Sequence, residues 1–454
     1  MGPVLSRALR VLCVAGAALW AQTTPTLEQR VAELERKVRL LDPSFAAEAA
    51  PAGLEERIRL LEAKVEELLG HSAALSPAAQ APAPAPQTPV TAPLQPVSVE
   101  GDYQAAGAET RLPVAGYMEA HYNKARGQPG QLDFHRFTLL FGHSFSDRIK
   151  FWSELELEHA LVEGGEEKGE LALEQAYLDF LIAPYFNFRA GMLLTPAGLI
   201  NERHESPSFN GVERPLVETF IIPSTWRDLG MGVTGDLGRG FRYRGYVMGS
   251  LDATGFNAGE GIRGGRSSGF ESSFRNPAKA LRLEYTGVRR LALGTSFYSG
   301  HAGFRLQTVN PRVDVFSFDS RFSRGPFDFR GLFADVWVSR AAELNQALRR
   351  QLGFNPNVAS RMRGYYFEPA VHALPRRLRT DLILFARYEK YNTQQKMPEG
   401  YIPLPQFDRS AWFIGATYKP NADVALKFDY VFNRNASRVV KPLDGINLGI
   451  GWWF

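Results

Sequence analysis

The sequence predicts an all-β chain, a 16-stranded antiparallel transmembrane β-barrel preceded by a short helical coiled-coil arm. Three observations carry this. The last nine residues place Ile446, Leu448, Ile450, Trp452 and Phe454 at alternate positions, with Asn447, Gly449, Gly451 and Trp453 between them. Alternate side chains of a strand face opposite ways, so this is an apolar face backed by a mostly small or polar one. Such a strand at a chain end is an aggregation hazard in water, but suits a wall with lipid outside and a lumen inside. Secondly, strand-like segments from residue 114 onward are joined alternately by tight and long connections, the asymmetry of membrane barrels. Thirdly, no run of about 18 apolar residues follows the N-terminus, so no membrane-spanning helix is expected.

Residues 1–21 read as a secretory signal. Arg7 and Arg10 precede the apolar stretch Val11–Trp20, and cleavage is expected near Ala21. Cys13, the only cysteine, lies in that segment, so the mature protein is expected to lack thiol and disulfide chemistry. Residues 22–70 carry two short heptad seams, Leu27, Val31, Leu34, Val38, Leu41 and Leu54, Ile58, Leu61, Val65, Leu68, interrupted at Asp42-Pro43. These fit either an oligomeric coiled coil or a pair of surface helices. Residues 71–113 form a Pro/Ala-rich linker, with Pro77, Pro82, Pro84, Pro86, Pro89, Pro93 and Pro96 favouring extended polyproline II.

The barrel is expected over 114–454, in sixteen strands near 114–124, 132–146, 148–160, 171–182, 186–194, 228–237, 241–251, 279–287, 291–300, 312–323, 326–339, 363–372, 378–392, 410–419, 423–434 and 444–454. The second offers Phe137, Leu139, Phe141 and Phe145 against Arg136, Thr138 and Ser144. The third sets Ile149, Phe151, Leu155 and Leu157 against Lys150, Glu154, Glu156 and Glu158. In the fifteenth, Val424, Leu426, Phe428, Tyr430 and Phe432 oppose Lys427, Asp429 and Asn433. Tight turns are expected at Ser146-Asp147, 183–185, 238–240, Arg289-Arg290, Arg324-Gly325, near 375–377 and at 420–422. Long connections are expected at 161–170, 195–227, 252–278, 340–362 and 393–409, with a short helix over Ala341–Leu352. An even strand count puts both barrel ends on the short-turn, periplasmic side, where the arm must be.

Sixteen strands are wide enough for an aqueous bore. The inferred inward set is charged: Glu119, Arg136, Lys150, Glu154, Glu156, Glu158, Asp179, Arg189, Arg242, Arg244, Arg282, Glu284, Asp319, Arg321, Arg387, Glu389, Lys427 and Asp429. So many charges are costly in a dry core and cheap in a water-filled lumen, which predicts a pore. The loop 195–227 carries Asn201, Glu202, Arg203, His204, Glu205, Glu213, Arg214, Glu218, Arg227 and Asp228 among the apolar Leu199, Phe209, Leu216 and Phe220. It suits a segment folded inward as a constriction, or an external cover of the mouth. The candidate pore-lining residues are Arg136, Lys150, Glu154, Glu156, Glu158, Arg189, Arg203, Arg214, Arg227, Arg242, Arg244, Arg282 and Arg321.

The stretch Arg189-Ala190-Gly191, Pro196-Ala197-Gly198-Leu199, Glu213-Arg214-Pro215, Pro223, Trp226-Arg227-Asp228-Leu229-Gly230 and Gly235-Asp236-Leu237 resembles the phosphate-selective porin O/P family, as do Gly116-Tyr117 and Ala176-Tyr177-Leu178-Asp179. The resemblance spans about 115–454 and is sharpest over 176–237. It implies a sixteen-stranded trimeric outer-membrane channel, often with an N-terminal coiled coil. Phosphate-selective members line the pore with arginines and a lysine cluster. Here acids and bases are about equal inside, and Glu154, Glu156 and Glu158 form an acidic row. Arg136, Arg189, Arg203, Arg214, Arg242 and Arg244 are expected along one wall opposite the acids, giving the transverse field of a general porin.

The expected function is therefore passive diffusion of small hydrophilic or anionic solutes, with phosphate selectivity as the finer reading. The expected partners are outer-membrane lipid, such solutes and two further copies of the chain. The net charge of +4, with 52 basic and 48 acidic residues dispersed, gives no nucleic-acid patch. His121, His143 and His159 read as wall or interface residues, and the acidic row as solvated wall rather than a Ca²⁺ site. His204 near Ser206 is too little for a hydrolase, so no enzyme, cofactor or metal is expected. The alternative is a structural anchor whose arm tethers the cell wall. Deleting residues 22–99 separates the two readings: single-channel current should survive, and a loss of envelope integrity would assign the tether to the arm, whereas an unchanged envelope would remove it.

Overall fold

The computed structural model describes residues 114–159, 170–269, 272–306, 308–375 and 378–454. The expected signal, arm and linker, most of the 161–170 connection and Arg376-Arg377 lie outside them.

Sixteen strands close into one antiparallel barrel in which each pairs with its sequence neighbours, and the last with the first. They are β1 (Val114–Ala125), β2 (Gln131–Ser146), β3 (Ile149–Glu158), β4 (Glu170–Ala183), β5 (Phe186–Leu194), β6 (Arg227–Gly238), β7 (Phe241–Ser250), β8 (Ser273–Tyr285), β9 (Leu291–His301), β10 (Arg312–Arg324), β11 (Phe327–Val338), β12 (Arg361–His372), β13 (Asp381–Lys396), β14 (Asp408–Lys419), β15 (Val424–Asn435) and β16 (Gly445–Trp453). Every expected strand is present. The largest difference is at β8, expected from 279 and observed from Ser273. Pro277 interrupts its pattern, and pairing with β9 starts only at Lys279. A proline has no ladder donor, so the segment before it reads as loop.

The short and long connections alternate as the turn chemistry requires. Gly238, Arg239 and Gly240 all take positive φ at the β6–β7 turn. Among the described residues the long connections contain two α-helices, α1 (Val217–Phe220) and α2 (Ala341–Leu352). In α2, Ala341, Leu344 and Leu348 recur on one face and are buried.

The outer surface is largely an apolar wall, with charges such as Lys279 and the Asp335–Arg361–Arg363 group toward the long-loop end. Leu426, Phe428 and Phe432 of β15 are exposed while Lys427, Asp429 and Val431 between them are buried. Ile446, Leu448 and Ile450 of β16 repeat the pattern. No helix among the described residues is long and apolar enough to cross a membrane, and the strands do the crossing.

The inward set expected from the sequence is charged and water-lining, and part of the inner face is instead apolar and packed. Near the long-loop end, β8 to β12 turn Ala278, Ala280, Tyr298, Val313, Val315, Ala334, Val336 and Met362 inward, all buried in one core with connecting segments. Further down the same strands the inward positions become Arg282, Glu284, Asp319, Arg321 and Arg330. Strands apolar on both faces are packed on both faces.

The seam pairs Tyr117 with Trp453 and Ala125 with Gly445, and Gly116 and Phe454 exchange two 2.9 Å backbone hydrogen bonds. The Phe454 ring stacks on Phe137 at 5.8 Å. A Cβ on Gly116 would lie 2.6 Å from that ring. Gly116→Leu should therefore cost about 1–3 kcal/mol by overcrowding. It should lower the folded fraction on unheated electrophoresis, and a wild-type folded fraction would contradict this seam.

Candidate functional site

The connection 195–226 folds into the barrel. Its base is tied by Asn201, whose Nδ2 donates to the carbonyls of Thr195 (2.7 Å) and Trp226 (2.9 Å) while its Oδ1 accepts from the Trp226 N–H at 2.7 Å. Gly198 turns with φ of +74°. Beyond it, Glu218 accepts the N–H groups of Leu199 and Ile200 at 2.7 Å each and the Tyr366 hydroxyl at 2.7 Å. Leu199, Ile200, Phe209, Val217, Ile221, Ile222 and Trp226 pack into the apolar core against the β6–β13 side.

The segment then crosses to the far wall. In the Ser206–Ser208 turn, Lys427 donates to the Ser206 carbonyl at 2.5 Å, Lys419 to Pro207 at 2.9 Å and Arg330 to Ser208 at 3.0 Å. The Val212 N–H donates to Asp429 (2.7 Å) and the Val217 N–H to Glu389 (2.9 Å). Arg387, fully buried, donates to the carbonyls of Asn210 (3.2 Å) and Glu213 (3.3 Å) and pairs with Glu368 and Glu389. A buried backbone needs partners for its N–H and C=O groups, and here the wall's charges supply them. The charges expected to stand in water are thus in large part dry, paired with each other and bonded to the loop.

The candidate residues fall into separate groups. Arg136 bridges Glu119 (3.1 Å), Glu156 (3.3 Å) and Glu158 (2.7 Å), and Glu156 lies near the Tyr117 and Thr138 hydroxyls. Glu154 accepts from Gln175 at 2.6 Å and faces His204, so the acidic row has three different sets of partners rather than one solvated face. Arg189 grips Asp179 with two bonds of 2.6 and 2.8 Å and lies over the Tyr177 ring. Arg244 reaches Glu202 (3.4 Å) and Glu284 (3.1 Å), and Arg282 pairs with Glu284 (2.9 Å) and Asp319 (2.8 Å). Arg242 is 3.6 Å from Asp236, and Lys150 donates to Ser144 at 2.9 Å. Arg214 donates to the His204 carbonyl at 3.1 Å and Arg227 to Glu174 at 3.1 Å. Arg321 lies opposite Arg330 in the ladder.

The expected basic wall facing an acidic one does not form. The register interleaves the charges instead: Arg136 pairs with Glu158, Asp179 with Arg189, Asp236 with Arg242 and Arg242 with Glu284, while Arg244 faces Arg282 and Arg321 faces Arg330. Of the three histidines read as wall or interface residues, His143 is exposed on β2. His121 lies between Glu119 and Glu213, at 3.2 Å from each, and His159 joins Asp133 at 2.7 Å.

The sequence reading missed Glu174, Arg330, Tyr366, Glu368 and Lys419. Glu174 carries a readable signal. Leu171 and Leu173 face out at odd positions, and a bulge between them and Gln175 shifts the parity so that Tyr177 and Asp179 turn inward. That bulge aims Glu174 at the loop.

Between the loop and β2–β7 lies a polar cavity of about 1210 Å³, reaching the short-turn end at Ala183 and Pro184. Its charged lining is Lys150, Arg189, Arg203, Arg242 and Arg244 with Glu154, Asp179, Glu202 and Asp236.

Several loop acids are displaced from their ordinary range. Burial raises the Glu205 and Glu218 carboxyls to about 7. Burial also opposes charge on Glu213, but the hydrogen bond and charge of His121 hold it at about 2. For His204 burial opposes the charged form, and Glu174 and Glu154 outweigh it, lifting the imidazole to about 10.

Glu205 and Glu218 therefore bind protons more tightly when the loop is docked than when it is free. Their contribution to docking is full below about pH 4.5 and is lost as pH rises through about 7. A nitroxide at Ser208→Cys, in a Cys13→Ser background, should gain mobility between pH 5.5 and 8. The double variant Glu205→Gln/Glu218→Gln should flatten that change; equal pH dependence in the two would contradict it.

No family model matches the chain. An uncharacterized protein of Aquifex aeolicus (strain VF5) is 36% identical over 354 residues, which is 76% of this chain and 80% of that protein. Among solved structures, Salmonella typhi OmpF in complex with daunomycin aligns with a TM-score of 0.51 at 12% identity, over 75% of this chain and 97% of that one. An anion-selective porin from Comamonas acidovorans aligns with a TM-score of 0.49 at 12% identity, over 75% and 98%. The architecture is thus a porin fold, and the chain belongs to the same family as the Aquifex aeolicus protein.

Proposed function

We propose that the protein is an outer-membrane channel for passive diffusion of small hydrophilic solutes, with a modest preference for anions. The observation that carries this is the inward-folded 195–226 segment, which crosses a sixteen-stranded bore and leaves a polar cavity of about 1210 Å³ beside it. A barrel of this size needs such a segment if it is to discriminate among solutes. The apolar core closes the β8–β12 side toward the long-loop end, so the route we propose follows the polar seam between the loop and β1–β7. Solutes there exchange water for fixed hydrogen-bonding groups.

Five bases and four acids line the cavity, and most are paired, which supports weak rather than strong charge selection. Phosphate selectivity is the finer reading and rests on the resemblance and on the bases Arg203, Arg321 and Arg330. A homotrimeric assembly and a cell-wall contact through the N-terminal segment belong to the same proposal.

Single-channel recording of refolded barrels under a KCl gradient tests it. Discrete open steps should appear with a reversal potential somewhat on the anion side, and Arg203→Glu should move it toward the cation side. Block by low phosphate would support the finer reading. An absence of current from barrels shown to be folded would overturn the channel and favour an anchoring role.

A further inference from the structure

Where the loop meets β3 and β4, three ligand-type atoms converge: Glu154 Oε1, Glu174 Oε2 and His204 Nε2, all within 4.8 Å of one another. The residues are 0, 1 and 0% exposed. His204 Nε2 lies in ion-pair contact 2.7 Å from Glu174 Oε2 and 3.5 Å from Glu154 Oε1, and beyond these contacts with one another none of the three atoms has a hydrogen-bond partner. The remaining polar atoms of the same groups are held from behind. Gln175 donates to Glu154 Oε2 at 2.6 Å, and Arg227 donates to Glu174 Oε1 at 3.1 Å. His204 Nδ1 is 3.0 Å from the Asn201 carbonyl, which can only accept, so Nδ1 carries the proton. Nε2 is thus the ring nitrogen that faces the two carboxylates. Two carboxylate oxygens and this nitrogen facing one point need a positive charge between them, either a proton on Nε2 or a bound cation that takes its place. A proton on Nε2 answers one contact and leaves Glu154 Oε1 without a donor. A divalent ion about 2.0–2.2 Å from each would satisfy all three. Supporting hydrogen bonds behind each ligand are what oriented metal sites use. The Asp133, His135 and His159 group at the long-loop end differs, because one Asp133 oxygen already accepts from both imidazoles.

We propose that Glu154, Glu174 and His204 form a binding site for a first-row divalent cation such as Zn²⁺, which clamps the inward-folded loop to the wall. One imidazole and two carboxylates suit Zn²⁺ or Mn²⁺ better than Ca²⁺, which takes six to eight oxygens. The ligands come from both sides of the contact, His204 from the loop and the two glutamates from adjacent strands. The ion would therefore fix the depth of the loop in the bore.

The test is metal content, independent of conductance. Full-length barrel refolded with Zn²⁺ and dialysed should retain about one ion per chain by elemental analysis. Glu174→Gln and His204→Gln should each weaken retention at least about tenfold, while Glu213→Gln, another loop acid, should not. A nitroxide at Ser208→Cys should lose mobility when Zn²⁺ is added, and not in Glu174→Gln. If a ligand variant misfolds, Glu154→Gln and the Zn²⁺ titration of the wild-type nitroxide still decide. A folded wild type that retains no ion, or ligand variants that retain it equally, would overturn the site and leave an imidazolium–carboxylate pair.

Discussion

The structure depends on one constraint: a polypeptide segment drawn into the bore of a barrel must have its backbone polar groups met. Loop 195–226 is too long and too buried to satisfy itself, and its own helix α1 has only four residues. The wall answers with charged side chains placed at the right heights. Asp429 and Glu389 accept from the Val212 and Val217 N–H groups, and Lys427, Lys419 and Arg330 donate to three successive carbonyls. Each is a charge-assisted bond, stronger than its neutral counterpart. The cost of leaving such a partner unmade is larger than the gain from making it. The wall charges are therefore tied to one loop conformation.

That constraint explains why the inner face is divided. Where connecting segments fill the bore beneath the long loops, the inward positions of β8–β12 are Ala, Val, Met and Tyr, because the loop offers apolar side chains there. Where the loop offers backbone, the inward positions are Arg, Lys, Asp and Glu. Where it offers neither, between the loop and β2–β7, a polar cavity remains. The outer face is apolar along most of its height, as a lipid-facing wall requires, and carries charges such as Lys279 and the Asp335–Arg361–Arg363 group toward the long-loop end.

Much of the barrel was legible from alternation alone. Leu426, Phe428 and Phe432 against Lys427 and Asp429 name both faces of β15 without reference to any other strand, and the turn at Gly238-Arg239-Gly240 names its own geometry. Strand existence is a local property with a strong period. The interior was less legible, because it is set by what stands opposite. Arg387 looks like a water-lining base in sequence; it is dry because Asn210 and Glu213, some 175 positions earlier, bring carbonyls to it. The pairing of Arg136 with Glu158 depends on register, which alternation does not fix. Two signals were present and unread. The inward Val313 and Val315 beside the outward Phe316 and Phe318 mark a strand packed on both faces. The parity change from Leu171 and Leu173 to Leu178 and Phe180 marks the bulge at Glu174.

The central claim is that loop 195–226 is docked across the bore by wall side chains rather than lying over the mouth. Hydrogen–deuterium exchange of the folded barrel tests it most directly, read peptide by peptide. The account predicts that amides of 199–200, 212 and 217 exchange on the slow timescale of the adjoining strands, well behind the exposed 397–407 connection. Exchange of the whole 195–226 segment as fast as that exposed connection would contradict it.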